Sequence, residues 1–146
     1  DDVLAELDVV VASVHTHMRM EKEEATRRLV SAVEHDEVDV LGHPSGRLIN
    51  DREGYPYDFD EVLGAAKREG VALELNANPH RLDVWDSQVR RAVEEDVLVS
   101  VNTDAHSTSD YSNLRYGVAT ARRGWAEADD VLNTMRTEEI EEWLGS

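Results

Sequence analysis

The chain has 146 residues, 40% of them hydrophobic, no cysteine, and 32 acidic against 15 basic residues for a formal net charge of −17. Its length suits one domain that buries about 68–70% of the surface its unfolded form would expose, and no apolar run approaches the roughly 18 residues of a membrane span. Without cysteine, disulfides, thiolate zinc sites, iron–sulfur clusters and cysteine nucleophiles are excluded, so a bound metal would have to rest on His, Asp, Glu or Asn.

The sequence opens on Asp1-Asp2-Val3-Leu4 with no initiator Met and no signal-like leader, and runs straight into structured-looking sequence. This predicts a chain that begins partway through a larger protein. A β-branched run from Val9 to Val14 predicts the first strand, followed by a helix over Glu21 to Glu34 with Ala25, Leu29, Ala32 and Val33 on its buried face. Val38 to Leu41 predicts a second strand. After a long polar loop comes a helix from Phe59 to Glu69, with Asp58 as N-cap, Glu61 three residues on and Gly70 closing it. Val71 to Leu75 is a third strand, Asp86 to Glu95 a third helix, Leu98 to Val101 a fourth strand, and Asn113 to Leu144 holds two or three helices. No repeat or linker divides residues 1–146, so they read as one unit. The alternation of strand and helix predicts parallel pairing, and strands this dense in Val and Leu predict cover on both faces.

The charge pattern is skewed as well as large, because only Lys22 and Lys67 are lysines. An acid-rich, lysine-poor surface is what a protein solvated in very salty cytoplasm would carry, with an ordinary acidic surface as the alternative. Such a field repels phosphate backbones at low salt, whereas at about 1 M salt the Debye length shrinks to roughly 3 Å and most of the repulsion vanishes. Unaided capture of nucleic acid is therefore not expected.

Each predicted strand ends in polar residues able to do chemistry: His15 after the first, His43 after the second, Asn76 and Asn78 after the third, Asp104 and His106 after the fourth. They recur about 30 residues apart, the spacing of βα units, and a barrel builds its site on this carboxyl rim, whereas an open sheet gathers its ligands at one switch point. Imidazole and carboxylate suit Zn, Mn or Fe. Asp104-Ala105-His106 can reach two neighbouring ions, and Gly42 and Pro44 fix the backbone about His43. His17 serves equally as the second member of an H-x-H pair or as a solvent-facing loop residue. His35 and His80 are assigned no metal.

Five strings carry a resemblance: ASVHTH (Ala12 to His17), LGHPSGRL (Leu41 to Leu48), LELNANPHRLD (Leu73 to Asp83), VNTDAHS (Val101 to Ser107) and RYGVATARRGW (Arg115 to Trp125). In this order they resemble the later motifs of the PHP (polymerase and histidinol phosphatase) family. They are most like the C-terminal PHP module of bacterial and archaeal family X DNA polymerases, the last string being specific to that subgroup. The resemblance implies the C-terminal part of a distorted (β/α)7 barrel, about four parallel strands with flanking helices, in which the intact module holds up to three divalent ions, Zn, Mn or Fe. It implies His15, His43, Asp104 and His106 as metal ligands, with Asp104 and His106 catalytic. The family's opening H-x-H pair, a further His and a bridging Glu would precede Asp1; His15-Thr16-His17 looks like that opening pair, but its surroundings match the later motif.

The implied activity is metal-assisted phosphoester hydrolysis, as a 3′ to 5′ exonuclease or abasic-site processor in cytoplasmic DNA repair, with the parent's polymerase domains gripping the DNA. Arg47, Arg81 and Asn76 are the candidates for binding substrate phosphate, the arginines through a planar fork that lysine lacks; pairing with local carboxylates is the competing role for both arginines. With an incomplete ligand set, the chain alone is expected to be inactive or nearly so. Two other classes stay open: a histidinol-phosphate phosphatase or amidohydrolase-type hydrolase acting on small molecules, and a non-catalytic scaffold. Against an amidohydrolase, neither lysine lies at a strand end, where a bridging carbamate would form.

Overall fold

A computed structural model describes residues 3–145, so the acidic start at Asp1 and Asp2 lies outside the described residues. Four strands, β1 (Val11–Ser13), β2 (Val40–Gly42), β3 (Ala72–Asn76) and β4 (Val99–Asn102), form one parallel sheet in the order β1-β2-β3-β4. The crossovers carry helices α1 (Lys22–Val33), α2 (Phe59–Glu69) and α3 (Asp86–Glu94), and α4 (Leu114–Arg123) and α5 (Thr137–Leu144) follow β4. Parallel strands need such long crossovers, and the helices supply the cover that makes β2 and β3 buried along their length. The fold is α/β, a parallel sheet flanked by helices, consistent with a partial (β/α) barrel.

Local chemistry accounts for the best-defined element. Asp58 caps α2 by accepting the Glu61 N–H at 3.3 Å, and Gly70 closes the helix in the left-handed region at φ 71°, where a side chain is strained. Along α1, Ala25, Leu29 and Val33 are buried as their spacing predicts, while Ala32 is only half-buried and Thr26 takes the remaining buried place. Thr26 Oγ1 donates to the Lys22 carbonyl and accepts the Asp58 N–H at 2.8 Å, tying α1 to the start of α2.

β2, β3 and β4 sit one or two residues further toward their carboxyl ends than the hydrophobic runs predict, while β1 lies inside its run from Val9 to Val14. The runs mark where side chains are buried, whereas the ladder also recruits polar and glycine backbones: Ser13 pairs with Gly42, and Asn76 with Asn102. This carries the strands to the polar rim. The core is Leu29, Leu41, Leu63, Leu73, Leu75, Val84, Val89 and Val99, all buried. β1 is the thinly covered edge, with Val9 and Val11 exposed, whereas β4 is joined beyond the sheet by a parallel bridge from Val99 to Val131. No helix among the described residues is long and apolar enough to cross a membrane.

Candidate functional site

At the carboxyl rim, β1 and β2 deliver two histidines to each other. His15 Nε2 lies 3.3 Å from His43 Nε2, with ring centroids 5.1 Å apart and planes tilted by 55°. Two imidazole nitrogens bound to one tetrahedral zinc at about 2.0–2.1 Å would lie about 3.3 Å apart, so the spacing fits a shared cation; it also fits an N–H···N bond when one Nε2 is protonated. His43 is buried and its Nδ1 has no partner, so its polar contacts run through Nε2 and the backbone. Burial, followed by the nearby Arg81 cation, holds its pKa below the ordinary histidine value, which keeps the ring neutral as a ligand must be.

His43 and Asp104 share an unusual backbone. Both fall in the left-handed region, at φ 27° and 51°, which non-glycine residues seldom adopt and which persists only when the surroundings enforce it. For His43 the surroundings are a buried acid: its N–H donates to Glu74 Oε2 at 2.8 Å. Glu74 also accepts Asn102 Nδ2 at 3.2 Å and Asn76 Nδ2 at 3.4 Å, and Asn76 Nδ2 lies 3.3 Å from Asp104 Oδ2. Burial raises the Glu74 pKa, and the bonds from Asn102, the His43 backbone and Asn76 oppose the rise.

Asp104 Oδ2 also pairs with Arg81 Nε at 3.4 Å. His106 is exposed, and its Nδ1 lies 2.7 Å from the Asp104 carbonyl oxygen. A carbonyl only accepts, so Nδ1 carries the hydrogen and the neutral ring leaves the Nε2 lone pair available. Asp110 fixes this turn by accepting the His106 and Ser107 N–H groups at 2.9 and 2.8 Å, which holds its own carboxyl below the usual range.

Arg47 stands elsewhere. Its Nε donates to the Arg81 carbonyl at 2.7 Å, its Nη2 donates to the Leu82 carbonyl, and its guanidinium lies 4.8 Å from the centre of the Trp85 ring. His17 is exposed at φ 52°, His35 Nδ1 accepts the Glu37 N–H at the end of α1, and His80 is exposed in the loop after β3. The structure thus joins His15 to His43 and joins Asp104 to Asn76 and Arg81. Among the described residues, no three His, Cys, Asp or Glu side chains close on a single ion position.

No family model matches the chain. Over 144 residues, 99% of the chain, it is 41% identical to the DNA polymerase/3′-5′ exonuclease PolX of Bacillus subtilis, of which it spans 25%. This similarity supports a PHP-like module in the chain. Proteins named as probable phosphatases agree with this: one from Thermoanaerobacter is 28% identical over 143 residues, and one from Vibrio parahaemolyticus is 31% identical over 137. The chain covers 56% and 53% of those two proteins, about half their length.

Two residues near the rim carry no sequence expectation, Glu74 and Asp83. Asp83 is fully buried, and its Oδ2 accepts Ser45 N–H at 3.0 Å, Ser45 Oγ at 2.8 Å and Gly46 N–H at 3.1 Å. Burial pushes its pKa up to about 6, although the Ser45 bonds and the Arg47 cation pull the other way. The signal for Glu74 was present: an acid between Leu73 and Leu75 in a strand buried on both faces must find donors for its oxygens.

Proposed function

We propose that residues 1–146 form part of a metal-dependent PHP phosphoesterase module that, within a family X polymerase, trims DNA 3′ ends or processes abasic sites in the cytoplasm. The observation that carries this reading is the His15–His43 pair, 3.3 Å apart at Nε2, on the same rim as Asp104. The donor set, imidazoles with a carboxylate, suits Zn, Mn or Fe. His15 and His43 would hold one ion between them, while Asp104 and His106 would serve further ions of the intact module. A divalent cation at such a site supplies Lewis-acid polarisation of a phosphoryl oxygen and a lowered pKa for the attacking water.

The chain's own groups supply the rest. Arg81, already within 3.4 Å of Asp104, offers a charged fork for phosphate oxygens beside the ligands. Asn76 holds Asp104 through its amide and can donate to substrate if that bond is exchanged. Arg47, assigned to phosphate binding in the same reading, meets a substrate only with guanidinium hydrogens not engaged by the Arg81 and Leu82 carbonyls. The His106 Nε2 lone pair can ligate an ion or accept a proton from the attacking water.

In the full-length polymerase, Asp104→Ala or His106→Ala should abolish digestion of a 3′ end while polymerisation stays measurable; unchanged digestion by either variant would remove these residues from the site. Catalytic zinc sites use three protein ligands, and no three converge among the described residues, so the 146-residue chain alone should hydrolyse phosphodiesters far more slowly than the full-length protein. The similarity to probable phosphatases favours, as a second reading, hydrolysis of a small phosphomonoester. Comparing full-length protein on a 3′-phosphate oligonucleotide, a phosphodiester oligonucleotide and histidinol phosphate separates the two.

A further inference from the structure

The loop His43-Pro44-Ser45-Gly46 has three backbone N–H groups, since proline has none, and each donates to a buried carboxylate. Glu74 takes that of His43, and Asp83 takes those of Ser45 and Gly46. Residues 43–46 are all buried, so these amides need acceptors inside the protein, and two buried acids supply them. Glu74 does more than hold the loop. Through Asn76, whose amide nitrogen lies 3.4 Å from Glu74 Oε2 and 3.3 Å from Asp104 Oδ2, the same carboxylate reaches Asp104 in the loop after β4. One acid on β3 therefore spans the candidate ligands that follow β2 and β4, and both sit in a left-handed backbone that needs outside support.

We infer that Glu74 is a positioning residue that sets His43 and Asp104 as a single unit, so that the distance between the two ligand positions is fixed by β3 and not by the flexible ends of their loops. The inference rests on the metal-dependent reading of the rim, and outer partners of this kind commonly govern metal affinity. Glu74 accepts on both oxygens, from the His43 and Asn76 nitrogens at Oε2 and from Asn102 at Oε1. In Glu74→Gln the amide NH2 faces another donor whichever way it is turned, so the substitution breaks the clamp with almost no change of volume.

The test uses the 146-residue chain with Zn2+ as the probe. In the metal-free chain, Glu74→Gln should shift the backbone amide resonances of both His43 and Asp104 and the imidazole resonances of His15 and His43, with far-ultraviolet circular dichroism retained. Zinc affinity by isothermal titration should fall about 10- to 100-fold. Asn76→Ala, which cuts the link to Asp104 and the Asn78 N–H bond to Asn76 Oδ1 but keeps the bond from the His43 N–H to Glu74, should shift the Asp104 amide and leave that of His43 in place. Zinc binding that is unchanged in Glu74→Gln, with both amides unmoved, would overturn the inference while leaving the metal reading intact. A full-length protein that binds no zinc, while Glu74→Gln in the 146-residue chain still gives the paired shifts, would sink the metal reading and keep the positioning role. If Glu74→Gln does not fold, Asn76→Ala decides: an unmoved Asp104 amide with unchanged zinc affinity overturns the inference.

Discussion

Asp83 carries the clearest pH dependence at the level of a single residue. Its folded pKa, about 6, lies above the ordinary value of 3.8, so between these pH values the folded chain binds more protons than the unfolded one. The contribution of this group to stability is therefore fully present below about pH 4 and falls as the pH rises to about 6, by about 2–3 kcal/mol in all. Asp58, Asp86, Asp110 and Glu139 are shifted down and act in the opposite sense at lower pH, but they are exposed and screened. Asp83→Asn can keep its oxygen where Oδ2 accepts from Ser45 and Gly46 and place its NH2 where Oδ1 has no partner. Urea unfolding from pH 4 to pH 7 should show the variant losing the downward slope and gaining up to about 2 kcal/mol at pH 7. An identical slope in both proteins would mean the buried carboxylate is not its source.

Among the elements, α4 shows how a surface-looking motif can be fixed by packing. RYGVATARRGW presents Gly117 and Gly124 to neighbours: a Cβ at Gly117 would meet Val101 Cγ1 at 2.6 Å and Ala77 Cβ at 2.7 Å, and one at Gly124 would meet Val89 at 2.6 Å. The first glycine lets α4 lie against β4 and the segment after β3, and the second lets its end close on α3. Gly117→Ala should cost about 1–3 kcal/mol despite alanine's better helix propensity, because the contacts are side chains in the core. Chemical unfolding measures it, and a stabilised variant would show that α4 can lift from the sheet freely. At α2 the expected change is smaller: Asp58→Ala removes the cap and should cost about 1 kcal/mol.

For the molecule as a whole, the net charge of −17 is the dominant electrostatic feature. Ion pairs such as Lys22–Asp58 at 2.7 Å and Arg123–Asp86 at 2.6 Å lie at the surface and neutralise few of the acids. Like-charge repulsion should therefore destabilise the chain at low salt, and raising NaCl from about 0.1 to 1 M, which shortens the Debye length from about 10 to 3 Å, should raise the thermal midpoint by several degrees. A midpoint that falls across this range would show that attractive surface pairs outweigh the repulsion, and would end the expectation of a salt-adapted surface.

Element order, parallel pairing, the caps of α2 and the rim positions of His15, His43, Asn76 and Asp104 were legible in the residues alone. These follow from local rules: periodicity reports burial, turn residues report chain reversal, and βα spacing places each strand end. How those residues meet was settled by the fold. Residues of distant segments are brought together by the sheet, so the His15–His43 contact, the turning of Arg47 onto the Arg81 and Leu82 carbonyls, and the separation of Asp104 from the histidine pair had no local trace. Glu74 and Asp83 show the reason most plainly, because a buried carboxylate is defined by its donors, and here the His43 and Ser45 amides lie 31 and 38 residues away in sequence and are set beside it by the fold.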